Sequence, residues 1–195
     1  MKKLIILLVG IGAISIAQGQ GTIKIDTAKS VIKWKESNLF KFNQHYGTVN
    51  FSDGEISMNE SGISGGMFVV DMNSIKNTDG KYNEMLVSHL KHQDFFAVEK
   101  FPEAKLEIHQ IRYGDNGEME MDALLMIKGI SRLIKFSSTM EKGPNKAVLK
   151  SRFIIDRTRW GVSYESKGIV GSVKDDIISD AIEFEVIVVI QLRGC

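Results

Sequence analysis

Two histidines on neighbouring turns of a predicted helix are the candidate metal ligands in this sequence. His89 and His92 are separated by two residues, and Asp94 follows them. Two imidazoles and a carboxylate can bind zinc or another transition metal. The same spacing fits a structural role, in which His89 packs against the protein and His92 is solvated. Because no acidic or thiolate partner stands at a fixed offset, we predict no bound metal and no other cofactor.

A G-x-S-x-G pattern at Gly62-Ile63-Ser64-Gly65-Gly66 matches the nucleophile motif of serine hydrolases. That chemistry requires a strand, a sharp turn at the serine and then a helix. Here residues 67–70 continue as a strand and no helix follows, so we expect the glycines to relieve crowding or bend the strand. We therefore predict that the protein is not an enzyme and has no catalytic residues. The alternative is a hydrolase that uses Ser64 or a metal enzyme that uses the histidine pair.

The segment Asp156-Arg157-x-x-Trp160-Gly161 places a charge pair and an aromatic residue at the end of a predicted strand. We predict an ion pair between Asp156 and Arg157 that locks the mouth of a barrel, with Trp160 covering apolar surface. The alternative is direct contact with a ligand. The isolated His45 and His109 are predicted to have structural roles.

Composition and charge exclude several classes of protein. The chain has 195 residues and a formal net charge of +1, so there is no basic excess to neutralise the phosphates of a nucleic acid. Its hydrophobic fraction of 43% is that of a globular domain rather than a disordered chain. The single Cys195 excludes a disulfide framework and a zinc site built on several thiolates.

The first 19 residues have the pattern of a secretory signal peptide. Lys2 and Lys3 precede an uncharged, mostly apolar run over residues 4–17, which is shorter than the ~20 residues of a membrane-spanning helix. Small residues at Ala17 and Gly19 predict cleavage before Gln20. We therefore expect residues 20–195 to form a single exported domain without a transmembrane segment. An uncleaved N-terminal anchor is the alternative.

Short segments of alternating polarity predict eight strands and one helix. The strands are expected near 30–36, 42–51, 62–72, 103–113, 118–128, 132–140, 146–156 and 180–192. Within the segment 79–96, helical spacing of apolar residues predicts a helix from Lys81 to about Lys91. A change of phase near His109 predicts a β-bulge. Residues 157–179 form a long polar connection, which in a compact domain is often functional or mobile.

The last predicted strand shows which of its faces is buried. Its even positions are apolar from Ile182 to Leu192, whereas charged residues occur at odd positions. Since charges are seldom buried without partners, the even face, including Phe184 and Val186, should point inward. Four successive strands joined by short turns form a meander, and meanders close readily into barrels. Such a barrel can be filled by its own side chains or can hold a small ligand.

Several short sequence blocks follow one another in a specific order between Ile25 and Leu192. They are Ser30-Val31-Ile32-Lys33-Trp34, His45-Tyr46-Gly47, Gly65-Gly66-Met67-Phe68-Val69-Val70-Asp71-Met72, His89-Leu90-Lys91-x-x-Asp94-Phe95-Phe96, Phe101-Pro102-x-Ala104, Ile127-Lys128-Gly129-Ile130 and Phe153-x-Ile155-Asp156-Arg157-Thr158-x-Trp160-Gly161. Together these blocks resemble the YceI family of periplasmic lipid- and polyisoprenoid-binding proteins.

The resemblance implies an all-β fold, an eight-stranded antiparallel lipocalin-like barrel with a helix beside it. It implies a periplasmic protein whose elongated apolar tunnel holds one long isoprenoid lipid, such as a quinone, and it brings no catalytic residues. A homodimer is compatible with it. We expect the ligand-binding residues to be Trp34, Phe68, Leu86, Phe95, Phe96, Leu125, Phe136, Phe153, Trp160, Phe184 and Val186. From the residues alone, a structural or partner-binding barrel with a filled interior is the alternative.

Overall fold

The computed structural model describes residues 21–37, 44–80, 83–164, 166 and 179–192. The predicted signal peptide (residues 1–19), the predicted helix start at Lys81, the first two residues of the strand predicted at 42–51, residues 165 and 167–178 of the polar connection, and Cys195 lie outside this part of the chain. Within it the chain forms nine strands, one α-helix and a short 3-10 helix (Arg157–Trp160). These are β1 (Gly21–Lys24), β2 (Val31–Ser37), β3 (Gln44–Asn59), β4 (Gly62–Asn77), α1 (Asn83–Lys91), β5 (Glu103–Tyr113), β6 (Glu118–Ile127), β7 (Ile130–Lys142), β8 (Lys146–Asp156) and β9 (Ala181–Gln191).

Strands β2 to β9 form a closed antiparallel barrel, which confirms the predicted fold class. The hydrogen-bonded order is β3-β2-β9-β8-β7-β6-β5-β4, and β4 returns to β3 to close the sheet. Closure leaves no unpaired sheet edge among these eight strands. Alternation of apolar and polar residues fixes the faces: on β6, the buried positions are every second residue from Met119 to Ile127.

The short strand β1, which the sequence does not predict, pairs with the same neighbouring strand, β3, as β2 does. It pairs with the last part of β3, whereas β2 pairs with the first part. The chain between them turns at residues 26–30. There the buried Ser30 hydroxyl accepts a hydrogen bond from the Val189 amide (2.9 Å) and donates one to the Asp26 carbonyl (2.8 Å). The serine thus bonds to a β9 amide at the point where the wall strand is interrupted.

The hairpin of β3 and β4 is longer than predicted, since the two strands extend to residues 59 and 77. The composition of Ser52-Asp53-Gly54 is typical of a turn. In the structure a register shift between Phe51 and Asp53 accommodates these residues as an irregularity within the strand. A Cβ atom on Gly54 would lie 2.8 Å from the end of the Ile25 side chain, which would have to shift to make room for it.

Other local predictions are confirmed. Strands β5 and β6 form a hairpin whose turn contains Gly117 with a φ of 74°. The predicted bulge is present as a register shift between Ile108 and Gln110, around His109. Helix α1 occupies the connection between β4 and β5 and buries Leu90.

The two ends of the barrel differ in how their interiors are packed. We call the end with the tight turns after β3, β5 and β7 the hairpin end, and the opposite end, which carries α1, the helix end. At the hairpin end, Ile56, Ile63, Met119 and Ile190 are at most 2% exposed. This end therefore has a filled core of the kind expected for a small closed barrel.

Candidate ligand cavity

Inward-facing side chains enclose a cavity in the half of the barrel toward the helix end. Its empty volume, including space that opens to solvent, is about 1100 Å³. The lining side chains are aliphatic, thioether or aromatic, apart from Glu36, Lys105 and Ser151. Its aromatic members are Trp34, Phe51, Phe68, Phe96, Phe136, Phe153 and Phe184. Such an interior excludes ionic solutes and favours an apolar ligand.

The burial of inward-facing residues shows where the empty space lies. Phe136, Phe153 and Phe184 point inward. The ring centroids of Phe136 and Phe153 are 5.0 Å apart, and those of Phe153 and Phe184 are 5.4 Å apart. All three residues nevertheless remain only partly buried. At the opposite end, the inward-facing Ile56, Ile63, Met119 and Ile190 are fully buried. The deepest lining residues toward that end are Met121, Leu149 and Val188. The cavity therefore ends inside the barrel, where the filled core begins.

Most of the residues predicted to bind a ligand line this cavity. The eight lining members are Trp34, Phe68, Phe96, Leu125, Phe136, Phe153, Phe184 and Val186. The even face of β9 points inward, as its alternation predicts. Leu86, Phe95 and Trp160 are not part of the lining. Leu86 packs against the core from α1, and Phe95 and Trp160 are fully buried beside the cavity wall.

Trp160 and Phe95 support the wall rather than face the cavity. The indole N–H of Trp160 donates to the Leu125 carbonyl (3.0 Å), which ties the 3-10 helix to β6. The Phe95 ring lies under the guanidinium of Arg157, 5.3 Å from the ring centroid. Both residues thus hold the segment after β8 against the barrel.

The predicted ion pair between Asp156 and Arg157 is wrong. The Asp156 carboxylate instead caps the 3-10 helix, accepting from the amide (3.0 Å) and the hydroxyl (2.6 Å) of Thr158. Arg157 turns inward, and its side chain is fully buried. Its guanidinium donates to the carbonyl oxygens of Val162, Tyr164 and Ser179 at 2.9–3.0 Å. Neighbouring residues on a chain leaving a strand point to opposite sides, which is why the two side chains do not meet.

Glu36 is a buried carboxyl group at the helix end of the cavity, and its site role was not predicted. Its Oε1 atom lies 3.5 Å from Arg157 Nε and has no hydrogen-bond partner among the described residues. Burial raises the pKa of Glu36 to about 7; nearby Arg157 lowers it and Asp180 raises it further. The signal was present in the sequence, because Ile32, Trp34 and Glu36 alternate on one face of β2.

A comparison with known protein families decides the identity of this barrel. A sequence model described as the YceI-like domain matches residues 23–190, which includes β2 to β8 and nearly all of β9. The chain belongs to the YceI family. No curated protein sequence is significantly similar to it.

Solved structures share the YceI fold at low sequence identity. BcnA of Burkholderia cenocepacia has a TM-score of 0.68 at 16% identity, covering 85% of this chain and 98% of that one. A polyisoprenoid-binding domain from Saccharophagus degradans, described as implicated in plant cell wall breakdown, has a TM-score of 0.61 at 12% identity, with 90% and 100% coverage. The YceI protein of Campylobacter jejuni has a TM-score of 0.59 at 18% identity, with 75% and 85% coverage.

The residues considered for catalysis do not converge in the described YceI barrel. Ser64 is exposed on β4 and does not line the cavity. His89 packs against the rings of Phe95 and Tyr164, and the exposed His92 contacts Asp94 at 3.0 Å. The described residues contain no group of three or more metal-ligating side chains. None of the described helices is both long and apolar enough to cross a membrane.

Proposed function

We propose that this YceI-family protein is a non-enzymatic carrier that holds a long apolar lipid, a polyisoprenoid or quinone, inside its barrel. The observation that carries the proposal is the apolar cavity, which occupies only the helix-end half of an otherwise filled interior. The Saccharophagus degradans protein, whose solved structure has a similar fold, is described as a polyisoprenoid-binding domain, which supports this class of ligand.

Burial supplies the binding free energy in this proposal. Each methylene group removed from water contributes ~0.8 kcal/mol, so a five-carbon isoprene unit contributes ~3–4 kcal/mol before ordering costs. The phenyl rings of Phe136, Phe153 and Phe184 give a continuous apolar wall for such units. Specificity for chain length then depends on the depth of the cavity rather than on polar contacts.

Mass spectrometry of organic extracts tests the proposal. The protein is purified without detergent, and the extract is compared with that of an unrelated periplasmic protein purified in the same way. We expect a stoichiometric polyprenyl or quinone species in the extract of the wild-type protein. Absence of any lipid, together with no binding of added prenols by the purified protein, would favour a structural or partner-binding barrel.

We also infer that the protein is exported to the periplasm after removal of residues 1–19. The inference rests on the charged start, the short apolar run and the small residues Ala17 and Gly19. The intact mass of protein from the periplasmic fraction should correspond to a chain that begins at or near Gln20. Recovery of the chain with Met1 to Gly19 still attached would contradict cleavage.

A further inference from the structure

Of the three buried side-chain atoms that lack hydrogen-bond partners among the described residues, two belong to residues that line the helix end of the cavity; the third, Oδ1 of Asp180, lies outside the lining. The two lining atoms are Nε1 of Trp34 and Oε1 of Glu36, in side chains of residues that are 7% and 9% exposed. The two residues occupy successive inward positions on β2, about 7 Å apart along the strand. Buried polar groups in proteins are almost always hydrogen-bonded. A donor and an acceptor that line the same cavity therefore indicate a polar group on the ligand.

The other polar side chains of the lining have partners within the protein. The Ser151 hydroxyl forms a 2.6 Å hydrogen bond with Ser138. The Lys105 ammonium forms a 3.0 Å ion pair with Glu103. Unsatisfied hydrogen-bonding capacity in the described lining is thus confined to one end of β2.

The charges around Glu36 disfavour an anionic ligand. Arg157 directs its guanidinium N–H groups at three backbone carbonyls. Asp180 lies 3.7 Å from the same guanidinium. On β3, His45 faces Glu36 in the strand register and is held by Asp79 at 2.6 Å. One arginine beside two carboxyl groups leaves no excess positive charge for a phosphate or carboxylate.

We propose that Trp34 and Glu36 bind the uncharged head of the lipid, a head that carries an oxygen acceptor and a hydroxyl or amide donor. This proposal rests on the lipid-carrier function proposed above. The head accepts from the indole N–H of Trp34 and donates to the carboxyl group of Glu36. The tail then extends toward Met121, Leu149 and Val188. An anionic head would face the carboxyl group of Glu36 and is disfavoured by repulsion.

The protonation of Glu36 sets which neutral heads bind near neutral pH. Because its pKa is about 7, the carboxyl group is present both as an acceptor and, when protonated, as a donor. A hydroxyl head can pair with either form. A ketone or quinone oxygen can only accept, so its binding should weaken as pH rises above the pKa of Glu36.

Competition binding with three lipids of equal chain length tests the proposal. Delipidated protein carrying a fluorescent prenol is titrated with geranylgeraniol, with geranylgeranyl monophosphate and with the corresponding hydrocarbon. We expect the wild-type protein to bind the alcohol about tenfold more tightly than either competitor. Trp34→Phe removes the N–H and keeps an aromatic ring, so it should reduce this preference to about threefold or less.

A second variant separates the two contacts. Glu36→Gln removes the negative charge, so it should increase the affinity for the monophosphate about tenfold relative to the wild type. Phe153→Leu serves as a control in the wall, since it should weaken all three lipids by the same factor. Melting curves establish that each variant is folded, and Trp34→Phe decides the matter if Glu36→Gln does not fold.

The possible results distinguish failure of this proposal from failure of the carrier function. Equal affinity for the alcohol and the monophosphate, or an alcohol preference that survives Trp34→Phe, would overturn the head-group assignment while lipid binding stands. Absence of binding for all three lipids would overturn the carrier function itself. Loss of the preference in Trp34→Phe alone supports the indole contact.

Discussion

At the scale of single residues, Glu36 links the stability of the protein to its cavity. Burial in the apolar cavity makes this carboxyl group costly to ionise, and the nearby guanidinium of Arg157 offsets only part of that cost. The pKa of Glu36 is therefore raised to about 7 from an ordinary value of 4.5. Between these values the folded protein binds a proton that the unfolded chain does not.

The free energy of unfolding should consequently fall as pH rises through this window. A raised carboxyl pKa means that stability is greatest when Glu36 is protonated and declines until pH passes about 7. A shift of this size corresponds to about 3 kcal/mol. Glu36→Gln cannot ionise, so its stability relative to the wild type should increase by that order between about pH 5 and about pH 8. Urea unfolding of both proteins at the two pH values measures it, and an unchanged difference would contradict the prediction.

At the scale of elements, the break between β1 and β2 depends on one hydroxyl group. Ser30 accepts from the Val189 amide and is 4% exposed. Ser30→Ala should leave that amide without a partner and lower the free energy of unfolding by about 1–3 kcal/mol. The exposed Ser131 provides a matched control, because Ser131→Ala removes a hydroxyl from a solvated strand position. Equal effects of the two substitutions in urea unfolding would show that Ser30 has no special role.

The 3-10 helix after β8 depends on its cap. Asp156 accepts from the amide and hydroxyl of Thr158 and is itself exposed, away from the cavity lining. Asp156→Ala should lower stability by about 0.5–2 kcal/mol without changing lipid affinity, whereas Asp156→Asn, which keeps an acceptor, should have little effect. Thermal unfolding and prenol binding measure both properties. Lost binding with unchanged stability would make Asp156 a ligand contact instead.

The sequence predicts elements well where alternation is regular and poorly where it is interrupted. On β6 and β9, period-two alternation gives the strand, its face and the inward residues. It fails for β1, which has only four residues, and for the last part of β3, where Asp53 and Gly54 lie in an irregular strand. The sequence analysis named Phe136 and Phe153 as ligand-binding residues, but alternation along a strand carries no information on whether an inward side chain meets another one or empty space.

At the scale of the whole molecule, the barrel combines a filled half that stabilises the fold with a hollow half that can accept a ligand. Val186 and Ile190 lie on the same inward face of β9, four residues apart and on either side of Val188. Val186 lines the cavity and is partly buried, whereas Ile190 is 2% exposed in the filled core. The same strand therefore samples both environments with similar side chains.

This arrangement predicts opposite effects for two substitutions that add volume without charge. Val186→Phe should be accommodated by the cavity, so the protein stays near wild-type stability but accepts only shorter prenols. Ile190→Phe should overpack the filled core and cost about 1–3 kcal/mol of stability, with the chain-length preference retained. Melting curves and affinities for prenols of increasing length measure both effects. Since Val186→Phe adds the larger volume, its tolerance would be direct evidence of empty space. If it destabilises the fold as much as Ile190→Phe, the helix-end half is as tightly packed as the hairpin end and the barrel is not a carrier.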